Sequence, residues 1–110
     1  MNEAGRNALR QAALRGVKQI IGNYSDTAGG RCALGVLADA HRNAMYHDFR
    51  PFGLHVLIGA CPLCGATTIS GQQKFPIAAE HHLVAHMNDD HHLDFLGIAE
   101  KMPVSEERQP

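Results

Sequence analysis

Cys61-Pro62-Leu63-Cys64-Gly65 sets two thiols two residues apart, and His81, His82, His86, His91 and His92 follow further along the chain. Thiolate and imidazole are the ligands that zinc prefers, and a C-x-x-C pair facing two imidazoles makes a closed tetrahedral site. Two thiolates offset the charge of the ion while the imidazoles stay neutral, so such a cluster can be buried without a large desolvation cost. Gly65 suits the turn after the pair, where backbone amides can point at the sulfurs. The competing reading is two ordinary half-buried cysteines. The specificity of Cys-Pro-x-Cys-Gly argues for the metal.

Spacing leaves the histidine ligands open. His82 and His86 are four apart and share a helical face, as in two-cysteine, two-histidine fingers. The gap from Cys64 to His82 is longer than those fingers use. His86 and His91, five apart across Asn88-Asp89-Asp90, close on a hairpin tip equally readily. His41, His47, His55, His81 and His92 read as surface or lightly packed residues. Asp89 or Asp90 could accept the second ring N–H of a ligand histidine, a common supporting role. The default for either acid is a solvated residue ending a helix.

The elements that must hold these groups follow from periodicity. Residues 3–21 predict an amphipathic helix with Leu9, Ala13, Val17 and Ile20 inward. A polar loop, Ser25 to Gly30, leads to a second helix over 31–44 that turns Leu34, Leu37 and Ala38 inward beside Cys32 and Ala33. Cys32 reads as a core residue; a third thiol ligand is the alternative. Arg50-Pro51-Phe52-Gly53 is turn chemistry. Leu54–Ala60 and Ala66–Ser70 predict two strands of a hairpin with the cysteines at its tip, and Gly71 to Lys74 a loop. Pro76 suits the first turn of a helix to Met87, with Ala79, Leu83 and His86 on one side. Asp94 N-caps a last helix carrying Phe95, Ile98 and Met102, which stops before Pro103. The expected fold is α+β: about four helices with a small β-hairpin zinc knuckle, zinc-finger-like. Residues 1–104 are expected to form one zinc-stapled domain and residues 105–110 a disordered tail.

Composition narrows the function classes. The chain has 110 residues, 45% of them hydrophobic, with no tryptophan, so a modest core of aliphatic side chains gains from a metal staple. Its net charge of −1 is not that of a polycation seeking phosphate. The first 50 residues carry seven Lys/Arg against four Asp/Glu, and the remainder three against seven. Such a polarity could guide association, as could a merely solvated surface. No apolar run resembles a signal peptide or reaches the ~18 residues of a membrane span. Three cysteines without a secretion signal fit a reducing cytoplasm better than a disulfide framework.

The stretch His86-Met87-Asn88-Asp89-Asp90-His91, through Ile98-Ala99-Glu100, resembles a pattern in small, largely uncharacterised proteins of bacteriophages and bacterial genomes. Those read H-L-N-D-x-H, then a helix containing I-A-x-W. Gly29-Gly30-Arg31-Cys32-Ala33-Leu34-Gly35 is similar to their glycine-rich C-A-L-G stretch. With the C-P-x-C-G knuckle, these pieces span most of residues 29–102. The chain departs from the pattern at Met87 (for Leu), at His92-Leu93-Asp94 (for a basic residue, Trp and Ser/Thr), at Gly97 (for a capping-box Glu) and at Lys101 (for Trp). The resemblance implies Cys61, Cys64, His86 and His91 as the zinc ligands and supplies no activity.

Three functions compete. The first is a non-enzymatic structural-zinc module that binds a partner protein or a nucleic acid. Arg6, Arg10, Arg15 and Lys18 could contact phosphates, although a solvated helix face gives the same pattern. Aromatics, 5% of the chain, are too few for a single-strand stacking platform. The alternative is a zinc-dependent hydrolase or nuclease using Asp89, Asp90, His91 or His92 beside an open metal position. No separate catalytic carboxylate stands out. The third is a thiol–disulfide oxidoreductase, which needs a helix starting at the first cysteine. Gly65 to Gly71 is a poor helix.

Overall fold

The structure, a computed structural model, describes residues 1–41, 49–70 and 75–104. Helix α1 spans Glu3–Leu14, and the Asn2 side chain caps it by accepting from the Gly5 N–H at 3.0 Å. It is shorter than its hydrophobic period implies. Gly16 adopts φ +72°, and the Val17 N–H donates to the Ala12 carbonyl at 3.0 Å. That six-to-one bond through a left-handed glycine is a Schellman closure, and it outweighs two further apolar positions downstream. Leu9 and Ala12 are buried, Ala13 and Val17 are half-buried, and Leu14 is exposed.

The chain then loops over the start of helix α2, Ala33–His41. Asp26 organises the loop, its Oδ1 accepting from the N–H groups of Ala28 and Gly30 at 3.0 and 2.6 Å. Cys32 stands just before α2, its sulfur accepting from the Gly35 N–H at 3.4 Å. Cys32, Ala33, Leu34, Leu37 and Ala38 are all buried, as their pattern predicts. Gly35 allows a close approach: a Cβ there would lie 1.9 Å from the Tyr24 carbonyl oxygen. The predicted end of this helix at residue 44 falls outside the described residues, as do His47, the loop 71–74 and the tail 105–110.

Among the described residues the fold class is the expected one, four α-helices and a small hairpin, but the hairpin has a different partner. Strand β1, Thr68–Ile69, pairs antiparallel with β2, Phe75–Pro76. Leu54–Ala60 does not pair with 66–70 as a strand. Residues 77–79 lie between the two arms of the knuckle instead. The Ile77 N–H donates to the Thr67 carbonyl and the Ile58 N–H to the Ala78 carbonyl, each at 2.9 Å. Pro76 therefore sits in a strand and does not start a helix. Extended backbone is fixed there on both sides, and helix α3 begins only at Glu80, running to Asp89. Helix α4, Phe95–Lys101, starts on Asp94, whose Oδ1 accepts from the Gly97 N–H at 2.7 Å.

The core gathers Leu9 of α1, Leu37 of α2, Leu54, Leu83 and Met87 of α3, and Ile98 of α4, all with no exposed surface. Each such side chain contributes roughly 1.5–3 kcal/mol over its exposed state. Cys61 belongs to this cluster. Among the described residues no helix is long and apolar enough to cross a membrane.

Candidate metal centre

The knuckle is built by its own backbone. The Cys61 N–H donates to the Ala66 carbonyl and the Gly65 N–H to the Cys61 carbonyl, both at 2.8 Å. Gly65 completes the turn at φ +76°, a region that side chains with a Cβ rarely adopt. The Leu63 N–H points at the Cys61 sulfur from 3.4 Å, and the Ala66 amide beyond Gly65 bonds the Cys64 sulfur, as expected of that turn. Cys61 is buried in the core, whereas Cys64 faces outward.

The opposing wall is the end of α3. The His86 carbonyl accepts from the N–H groups of Asp90, at 2.9 Å, and His91, at 3.2 Å. The widened last turn stacks the His86 and His91 rings edge to face, with centroids 4.7 Å apart. His92 follows at φ +56°, and the Leu93 N–H closes onto the Met87 carbonyl at 3.1 Å. This wide ending places a histidine in the left-handed position where glycine is usual.

Cys61, Cys64, His86 and His91 each offer one donor atom, and these atoms all lie within 4.8 Å of one another, close enough to hold a metal ion. Cys61 Sγ is 3.7 Å from His91 Nε2, and Cys64 Sγ is 3.3 Å from His86 Nε2. Zinc bonds of about 2.3 Å to sulfur and 2.05 Å to nitrogen, at tetrahedral angles, place S and N about 3.6 Å apart. The two sulfur–nitrogen distances, 3.7 and 3.3 Å, are close to that spacing.

His82 is not in the group. Its Nδ1 accepts from the backbone N–H groups of Ala78 and Ala79, at 3.2 and 3.1 Å, so the ring caps the start of α3. A ligand pair of His82 and His86 is thereby replaced by His86 and His91. Cys32 lies outside the group as well.

Asp90 departs from its expected role as a solvated helix end. Its Oδ2 lies 2.7 Å from His86 Nδ1 and accepts from the Ser70 N–H at 2.8 Å. A carboxylate can only accept, so Nδ1 carries a proton, which leaves Nε2 as the atom facing the sulfurs and free to bind a metal when His86 is neutral. Asp89 is also engaged, accepting from the Gly22 N–H at 3.2 Å and from Asn88 Nδ2 at 2.7 Å.

Electrostatics order the two thiols. The hydrogen bond from His86 is the main cause that lowers the Cys64 thiol to about 6, assisted by the Ala66 amide. Burial raises the Cys61 thiol above its ordinary value. Burial alone would lower His86, but its hydrogen bonds to Cys64 and Asp90 outweigh that and raise it. A divalent ion at this point would take the place of the proton between Cys64 and His86.

Asn88 was not marked by the sequence reading, yet it anchors the wall. It is buried and saturated. Its Oδ1 accepts from Gln19 Nε2 at 2.8 Å and from the Ala33 N–H at 3.0 Å, and Nδ2 donates to the Ile20 carbonyl at 2.9 Å. The available signal was an amide one turn from two candidate ligands, among residues that are otherwise apolar or ionisable.

Fold and site together define a small α+β domain with a two-cysteine, two-histidine cluster able to hold a metal ion. No family profile matches the chain, and comparison with curated proteins and with solved structures gives no match.

Proposed function

We propose that this chain is a structural-zinc protein that works by contact and not by catalysis, in the cytoplasm, with a protein as its partner. The observation that carries the reading is the closure of the donor set. Four side chains converge on one site, from a knuckle and from a helix end that the Ser70–Asp90 hydrogen bond also joins. Zinc with four protein ligands has no open position for substrate, so its contribution is folding free energy.

A hydrolase would need an open position and a free base. Here Asp89 and Asp90 are both committed to neighbours. A protein partner is favoured over nucleic acid because several cations of the basic half are already engaged. Arg6 donates to the Met1 and Met102 carbonyls, Arg10 pairs with Glu3, and Arg31 with Asp39. The knuckle also presents an exposed Leu63 at its tip, and Leu57 lies exposed on the arm before it. Kinship with the small phage and bacterial proteins that share the C-P-x-C-G and H-x-N-D-x-H pieces belongs to the same proposal.

Native mass spectrometry and elemental analysis test it. One zinc per chain is expected, lost in Cys61→Ser, Cys64→Ser, His86→Ala and His91→Ala and kept in His82→Ala. Full metal content in all four ligand variants would sink the reading. Capture of a partner that survives raised salt fits a protein; a gel shift that fades steeply with salt would transfer the assignment to nucleic acid.

A further inference from the structure

A cleft of about 480 Å³ separates α1 from α2 on a face that shares no residue with the metal centre. Its size lies within the roughly 300–1,000 Å³ of clefts that hold small organic ligands. The sequence explains why it exists. Ala4 and Ala8 on α1 and Ala40 on α2 are too short to fill the space between the helices, while Val36 and Phe52, both buried, make an apolar floor.

The charged groups of the lining are Arg15, Arg31 and Asp39. Arg31 gives Nε to Asp39 at 2.7 Å and Nη1 to the Gly30 carbonyl at 2.8 Å, which fixes its guanidinium in place. Arg15 caps the end of α1 and has no side-chain partner among the described residues. Two guanidinium groups against one carboxylate leave a single positive charge above an apolar floor. We infer that this cleft binds a monoanionic organic carboxylate with a hydrocarbon body, its carboxylate taken by the free fork of Arg15 and its tail lying on Val36 and Phe52. A planar guanidinium matches a carboxylate with two parallel hydrogen bonds. Asp39 disfavours a dianion such as a phosphomonoester at the same place.

The test is an NMR titration of the full chain, as purified with its metal, using octanoate, 1-octanol and inorganic phosphate as probes. Octanoate is expected to give saturable shifts at Ala8, Val36 and Phe52, with 1-octanol about tenfold weaker, the factor of one charge-assisted hydrogen bond. Arg15→Gln, at an exposed position outside the core, should weaken octanoate by a similar factor and leave 1-octanol unchanged. Three results overturn the inference: no saturable shift with octanoate, equal binding of octanoate and 1-octanol, or phosphate shifting the same amides as strongly. Zinc content is read on the same samples, so failure of the metal reading and failure of the cleft are separate outcomes.

Discussion

His86 Nδ1 and Asp90 Oδ2 lie 2.7 Å apart, and the same carboxylate oxygen holds the Ser70 amide. One acid thus sets the tautomer of a metal-facing ring and ties the last turn of α3 to the end of β1. Asp90→Ala should weaken zinc binding by about 10- to 100-fold, as loss of such supporting carboxylates does elsewhere. Asp90→Asn should fall between, because its amide oxygen can still accept from Nδ1. Competition with a chromophoric chelator measures this, and wild-type affinity in Asp90→Ala would refute the role.

Breaking the donor set should outweigh any change beside it. Cys64→Ser is expected to lower the melting temperature by roughly 10 °C or more, since under the proposed structural-zinc role metal binding contributes folding free energy. His92→Ala, exposed and outside the cluster, should move it by only a few degrees. Small, equal shifts in thermal unfolding would argue against a metal-stapled core.

Asn88→Ala leaves the Ala33 N–H and the Ile20 carbonyl without their partner. Each orphaned buried group costs about 1–3 kcal/mol, so a loss of roughly 2–4 kcal/mol in denaturant unfolding is expected. Amide exchange should rise first at Ala33, whose N–H the side chain holds. Unchanged stability would show that water replaces the amide at no cost.

Gly35→Ala sets two effects against each other. Alanine gains about 1 kcal/mol of helix propensity over glycine. Its Cβ would sit 1.9 Å from a backbone oxygen of Tyr24, which no rotamer change can relieve. The steric term should win, with net destabilisation of about 2 kcal/mol or more. A stabilised variant would mean that the loop does not rest on α2.

After chelation, alkylation rates should separate the thiols by pH. Cys64, lowered to about 6, is a thiolate at neutral pH; Cys61 and Cys32, both raised by burial, remain protonated. A depressed folded value means that Cys64 adds stability from pH 9 upward, and that this contribution is lost as pH falls through about 6. Removing its main cause with His86→Ala should return Cys64 toward ordinary reactivity. Equal rates at all three thiols would contradict the pairing.

Much of this protein is written locally. The turn at Cys61 to Gly65, the inward run of α2 and the Asp94 cap follow from nearest-neighbour chemistry, and each stands where its residues place it. Two local signals were overruled by stronger constraints. Apolar spacing extended α1 past Gly16, although a glycine able to take positive φ ends a helix more firmly than two further apolar residues continue it. Pro76 fits a helix start equally well on paper, but hydrogen bonds to both arms of the knuckle hold 77–79 extended.

The sequence by itself determined the donor types, two thiols at fixed spacing and a surplus of imidazoles, because ligand chemistry belongs to side chains. Tertiary structure decided which imidazoles serve. His82 spends its ring nitrogen on the start of its own helix, and the widened last turn of α3 sets His91 beside His86. Only packing also showed Asn88 saturated, since a hydrogen bond across 55 or 69 residues leaves no mark on local spacing.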